Sequence, residues 1–159
     1  MIALSVSVLT EVVMKTEERT KFNVDKDIAQ RSHEGVVFDS IMEMKYFRDV
    51  VLPLKRSGCI VRYELQKPYE LQPEFTYNGK LVKPITYVAD FYVEYDDGRS
   101  EVIDVKGFAD SLAKIKRKMF WNTYPDIAYR WVCLSKIDGG WCDYDDVQRN
   151  RRQRKTNRI

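Results

Sequence analysis

The sequence predicts a mixed α/β domain, a sheet flanked by helices in the order α-β-β-β-α-β. Three observations carry this expectation. Hydrophobic residues make up 44% of the 159-residue chain and aromatics 13%, enough for one packed core. Two segments have helical periodicity and proline stops, "SIMEMKYFRDVVLP" and "SLAKIKRKMFWNTYP". Between and after them stand β-branched and aromatic runs bounded by turn residues, among them "YVADFYVEYDDGRSEVIDVKG".

In chain order, Ile2, Leu4, Val6 and Val8 alternate with Ala3, Ser5 and Ser7, a strand signature. It opens an arm over residues 1–20, a candidate dimerising element, set apart by the aperiodic stretch "KTEERTKFNVDKDIAQRSHEG". The arm is expected either to exchange with a second subunit or to line the edge of its own sheet. A domain spans 21–147. Its first helix is expected from about Ile41 to Leu52, ending at Pro53, and strands at "CIVRYEL" and "YELQPEF". The hairpin follows the turn "YNGK", the second helix ends at Pro125, and "IAYRWVCL" is a further buried strand. "KIDGGWCDYDD" reads as a turn-rich exit, and residues 148–159 as a basic flexible tail.

Composition narrows the chemistry. The single histidine, His33, excludes catalysis by a histidine pair and a His-rich metal site. Three cysteines without paired spacing give no zinc or disulfide framework and fit a reduced, cytoplasmic protein. No apolar run reaches 18 residues, so no membrane partner is expected. Any metal would be held by carboxylates, whose hard oxygens favour Mg2+ or Mn2+. The last twelve residues hold six of the 27 Lys and Arg and none of the 24 acids, leaving the rest of the chain at a net charge of −3. A near-neutral body with a basic end fits either a polyanionic partner or a solubilising tail.

The hairpin holds the acids of interest. "DDG" permits a three-residue loop, Asp96-Asp97-Gly98, with glycine in the left-handed position. Tyr95 then pairs with Arg99, Asp90 stands opposite Asp104, and Val88 opposite Lys106. A two-residue loop at Asp97-Gly98 would send the two acids to opposite faces. The three-residue loop is the register expected here. Opposed carboxylates in a well-covered strand pair are unfavourable unless a cation compensates them. Glu43, on the first helix, shares a stripe with Phe47, Val50 and Leu54. Its S-x-x-E spacing from Ser40 also fits a capping box.

Glu43, Asp90 and Asp104-Val105-Lys106 together resemble the PD-(D/E)XK nuclease signature. With "EGVVFDSIMEMKYF", "YELQKPYEL", "YVADFYVEYDDG", "DVKG" and "KRKMFWNTYPDI", the chain is similar to small phage-encoded nucleases of that superfamily, over roughly Phe22 to Leu134. The arrangement also resembles endonuclease I-type Holliday-junction resolvases. Ala89 stands where the signature's name has proline. The resemblance implies a restriction-endonuclease-like αβββαβ core and a Mg2+- or Mn2+-dependent endonuclease acting on junction or branched DNA. It also implies a homodimer, placed in the host cytoplasm if phage-encoded. It makes Glu43, Asp90, Asp104 and Lys106 catalytic, with the Val105 carbonyl joining the three acids as a metal ligand. DNA acted on at ends or as single strands, or bound without catalysis, are the alternatives. For DNA contact the sequence offers Lys114, Arg117, Lys118 and Trp121 on one helix face, with Leu112, Ile115 and Met119 on the buried one. Lys116 lies off that stripe. Arg149, Arg151, Arg152 and Arg154 of the tail would add salt-sensitive attraction.

Overall fold

A short 3-10 turn, Ile28–Arg31, opens the structure, a computed structural model that describes residues 28–157. The expected strand Ile2–Val8, and with it the arm over 1–20, lies outside the described residues. Two-residue strands β1 (Ser32–His33) and β2 (Val36–Val37) pair around Glu34 and Gly35, both at positive φ.

The first helix starts where expected and does not stop where expected. Helix α1 (Ile41–Tyr46) is capped by Ser40, whose hydroxyl accepts from the Glu43 N–H. A π-helical segment, Phe47–Val51, then leads without a break into α2 (Leu52–Arg56). Pro53 therefore sits in the first turn of α2 instead of ending the helix. Proline lacks the donor N–H and crowds the carbonyl four residues back. The π turn, in which the Leu52 N–H reaches Phe47 O, shifts the hydrogen-bond ladder just ahead of it. Phe47 and Val51, each 1% exposed, turn inward from this segment.

Strand β3 (Ile60–Gln72) is one long strand where two were expected. Strands β4 (Phe75–Tyr77) and β5 (Lys80–Val82) form a separate two-stranded hairpin. Its Asn78-Gly79 turn has both residues at positive φ, as a two-residue loop requires. Strands β6 (Ile85–Tyr95) and β7 (Ser100–Val105) make the central hairpin, followed by α3 (Ser111–Thr123) and β8 (Ala128–Ser135). With β9 (Gly140–Asp143) added, the main sheet runs β3-β6-β7-β8-β9; β7 and β8 pair in parallel and the other neighbours antiparallel. From α1 through β3, β6, β7 and α3 to β8 the order is αβββαβ, a mixed α/β fold of the restriction-endonuclease-like kind. Among the described residues, strand β3 has a sheet partner on one side alone.

The end of the chain corrects the expectation of a turn-rich exit and a frayed tail. Gly139 and Gly140, at φ 102° and 114°, turn the chain into β9 (Gly140–Asp143), antiparallel to β8. Helix α4 (Tyr144–Thr156) follows, capped by Asp143 and anchored by buried Tyr144 and Val147. Its polar remainder is pinned through Asp138, which accepts from Ser135, Asn150 and Arg154. Sequence periodicity missed α4 because two apolar anchors are too few to show a stripe.

Helices cover both faces of the sheet. In β7, Ile103 packs into the cluster that holds Phe47, while its neighbour Val102 packs into the one that holds Phe120 of α3. The two layers are thus on opposite faces.

Candidate active site

The DDG loop has three residues. The Tyr95 N–H donates to Arg99 O at 2.8 Å, Gly98 has φ 85°, and Glu94 pairs with Ser100. That register carries Asp90 to the step opposite Asp104, as the sequence predicted. Regular pairing stops one step short of them, at Phe91 and Ile103. In place of a backbone rung, the Val105 N–H donates to the Asp90 Oδ2 at 2.7 Å.

The same step is irregular in β3. Leu65 pairs with Phe91 and Lys67 with Ala89, which sets Gln66 opposite Asp90, and Gln66 has φ 52°. The buried side of β6 changes layer here. Phe91 and Val93 pack with Phe47, whereas Tyr87 and Ala89 pack with Phe120. Gln66, Asp90 and Asp104 thus form one row across three strands, at the point where both ladders are interrupted. Strain of this kind gathers at functional sites. Sequence reasoning missed Gln66, and only its register against Asp90 could have flagged it.

Asp104 is 2% exposed. The Tyr87 hydroxyl donates to its Oδ1 at 2.8 Å, and the Lys106 ammonium pairs with its Oδ2. That Oδ2 is sealed from solvent and has no hydrogen-bond partner besides the ion-paired ammonium. Burial pulls the Lys106 pKa down, but Asp104, followed by Asp90 and Glu43, outweighs it and holds the ammonium above its ordinary value. Burial, then the charges of Asp104 and Glu43, push the Asp90 carboxyl well above the usual range. Glu43, 7% exposed, is pushed up to about 7, chiefly by burial, with Asp39 and Asp104 adding repulsion against the Ser40 hydrogen bond.

Glu43 does not form the expected capping box in full. Ser40 Oγ accepts from the Glu43 N–H at 3.1 Å and donates to Glu43 Oε1 at 2.7 Å, which leaves Oε2 to Gln66 Nε2 at 3.5 Å. Cap and site are shared by one side chain.

Asp90, Asp104, Lys106 and Gln66 line a cleft of about 380 Å³, together with Asp39, Tyr87, Leu112 and Lys116. Among the described residues, no three His, Cys, Asp or Glu side chains gather closely enough to hold a metal by themselves. The donor set that does converge is two carboxylates beside an amine, with the buried Oδ2 of Asp104 held by no group except that amine. That fits Mg2+, which keeps several waters and is commonly bound through one or two carboxylates and a substrate phosphate.

The second helix lies rotated from the sequence expectation. Phe120 is fully buried and Met119 packs beside it, but Leu112 and Ile115 are exposed, at 60% and 55%. The reason is that two long basic side chains take part in the packed face. Lys116 Nζ donates to Thr86 O at 2.8 Å, and Arg117 lies over the Trp131 ring at 3.7 Å while pairing with Asp145. Lys114, Lys118 and Trp121 are exposed, whereas Arg117 is largely taken into the structure. The residue set aside from the stripe, Lys116, is the one that lines the cleft. In α4, Arg149, Arg151 and Arg152 are exposed, with Arg149 paired to Asp146, while Arg154 is held by Asp138.

A family model described as "Protein of unknown function (DUF1064)" matches residues 19–138, three quarters of the chain and every residue of the cleft. No curated protein matches it.

Proposed function

The chain belongs to the DUF1064 family, and from the cleft it carries we propose that it is a metal-dependent DNA endonuclease of the PD-(D/E)XK type. The observation that supports this reading most is the convergence of Asp90, Asp104 and Lys106 from two neighbouring strands on one cleft. Two carboxyls stand side by side there, Asp104 buried and Asp90 half-buried, and a divalent cation would remove the cost of ionising both.

Asp90 and Asp104 would hold Mg2+ or Mn2+, with the Val105 carbonyl and Glu43 completing or flanking that set. A divalent ion so bound lowers the pKa of a coordinated water, polarises a phosphoryl oxygen and neutralises developing charge. The protein's own groups do the rest. Tyr87 fixes the orientation of Asp104 through Oδ1, so that Oδ2 points at Lys106. Lys106 brings a positive charge to the side of the acids where phosphate negative charge grows during hydrolysis. Ser40 and Gln66 hold the Glu43 carboxylate, which orients water for the attack. Lys116, at the rim, offsets the acids and draws in the phosphate backbone.

Branched DNA, such as a four-way junction, is the proposed substrate, and two coordinated cuts would require a symmetric homodimer. The test is nicking of supercoiled plasmid in Mg2+ and in EDTA, by the protein and by Asp104→Asn, with DNA binding followed in Ca2+. Cleavage lost on substitution or chelation, with binding retained, is the expected result. Cleavage that survives Asp104→Asn overturns the assignment. A four-way junction cut faster than linear duplex of the same sequence supports the substrate preference. A protein that sediments as a monomer at micromolar concentration counts against it.

A further inference from the structure

Past Lys106, the chain exposes an aromatic ring where it had no packing reason to do so. Phe108 is 78% exposed. The loop that presents it is held on both sides. The Lys106 N–H donates to Val132 O at 2.8 Å, and the N–H of Ala109, itself 2% exposed, donates to the Tyr144 hydroxyl at 3.1 Å. Asp110 then caps α3 by accepting from the Ala113 N–H at 2.7 Å. The Cα of Phe108 is within about 7 Å of that of Lys106, the reach of two residues of extended chain. Its backbone is thus held within that reach of Lys106, and its ring is left in water.

Two more exposed apolar side chains, Leu112 and Ile115, follow on α3, and Leu112 lines the same cleft as Asp104 and Lys106. The exposed Lys114 and Lys118 alternate with them, and Lys116 stands at the cleft rim. Exposed apolar side chains, one of them lining the cleft, with ammonium groups among them complement a molecule with flat apolar rings and a polyanionic backbone. Paired bases in a duplex hide their faces in the stack, so the matching ligand is a nucleotide whose base is free of its stack.

We infer that Phe108, with Leu112 beside the cleft, is a stacking platform for an unpaired nucleobase next to the bond being cut. The inference rests on the nuclease reading for the identity of the substrate, and it names what selects that substrate. Single-stranded and branch-point nucleotides are then favoured over intact duplex by base stacking, without any base-specific hydrogen bond.

The test is a coupling cycle between protein and base, run in EDTA so that nothing is cut. Affinity of the 159-residue chain for a labelled single-stranded oligonucleotide is measured by fluorescence anisotropy, and again for the same oligonucleotide made abasic throughout. Phe108→Ala, or loss of the bases, is each expected to weaken binding about ten-fold or more. The two together are expected to weaken it no further than either alone. Phe108→Trp is expected to restore the sensitivity to base removal. Costs that simply multiply, or a wild type indifferent to base removal, overturn the inference. So does a wild-type dimer that dissociates on Phe108→Ala, which would make the patch a contact between copies. Plasmid nicking by the wild type in Mg2+ is scored separately. Nicking without coupling removes the platform and leaves the nuclease, and coupling without nicking does the reverse.

Discussion

The backbone N–H of Val105 donates to the side chain of Asp90, where the hairpin would otherwise have closed another rung with a carbonyl. Asparagine at position 90 could keep that acceptor while removing a charge that Asp104 and Glu43 oppose. Asp90→Asn is therefore expected to stabilise the metal-free protein by on the order of 1 kcal/mol, seen as a higher melting temperature in EDTA. The same variant is expected to lose plasmid nicking in Mg2+ by two orders of magnitude or more. An unchanged or lower melting temperature would mean that the acids do not strain the fold.

Glu43 gives the pH dependence its sign. Its carboxyl is pushed from 4.5 up to about 7 in the folded protein, chiefly by burial. Between those values the folded state binds more protons than the unfolded one, so stability falls as pH rises from about 4.5 to 7. Below that window the group is protonated in both states and contributes no slope. Chemical denaturation in EDTA across this range is expected to lose a few kcal/mol in the wild type. Glu43→Gln is expected to flatten that decline.

Arg117 is expected to behave as a packing residue and its neighbours as DNA contacts. Arg117→Ala removes the stack on Trp131 and the pair with Asp145. It is expected to cost about 1–2 kcal/mol in a denaturant titration. Lys114→Ala and Lys118→Ala are expected to change stability by less than about 0.5 kcal/mol. Each is expected to reduce the salt dependence of DNA affinity by about one unit of slope.

Asp138 ties α4 to the sheet. Hydrogen bonds from Arg154, then Ser135 and Asn150, hold its carboxyl below the usual range. Its contribution is present above the ordinary carboxylate pKa and is lost as pH falls toward the lowered one. Asp138→Asn is expected to speed amide exchange in the second half of α4, around Asn150 to Thr156, at neutral pH. In the wild type that loosening is expected in acid alone.

The hairpin was legible because one short motif narrows its pairing to two registers, and the three-residue "DDG" loop expected between them carries Asp90 to Asp104. Glu43 was legible as a costly acid on an apolar stripe. The rotation of α3 was not legible, because Lys116 and Arg117 count as polar in any periodicity although their stems and heads pack inward. Pro53 misled for a related reason: a proline stop is a local rule, and a π turn five residues long relieves it. Gln66, Asp39 and Tyr87 reach the cleft through register, helix placement and side-chain length, none of which a linear pattern contains.

Among the described residues, strand β3 ends the sheet with thirteen residues and no neighbour on its outer flank. Bare rims of that length invite other chains to hydrogen-bond and grow into fibrils. Here the rim is spoiled at mid-length: Pro68 has no N–H to offer, and Gln66 two residues earlier is twisted out of strand geometry. Arg62, Glu64, Lys67 and Glu70 add charges of both signs along the same strand. The irregularity that shapes the cleft on one side therefore also interrupts the rim on the other, and regularising it for stability would offer other chains a longer edge to pair with.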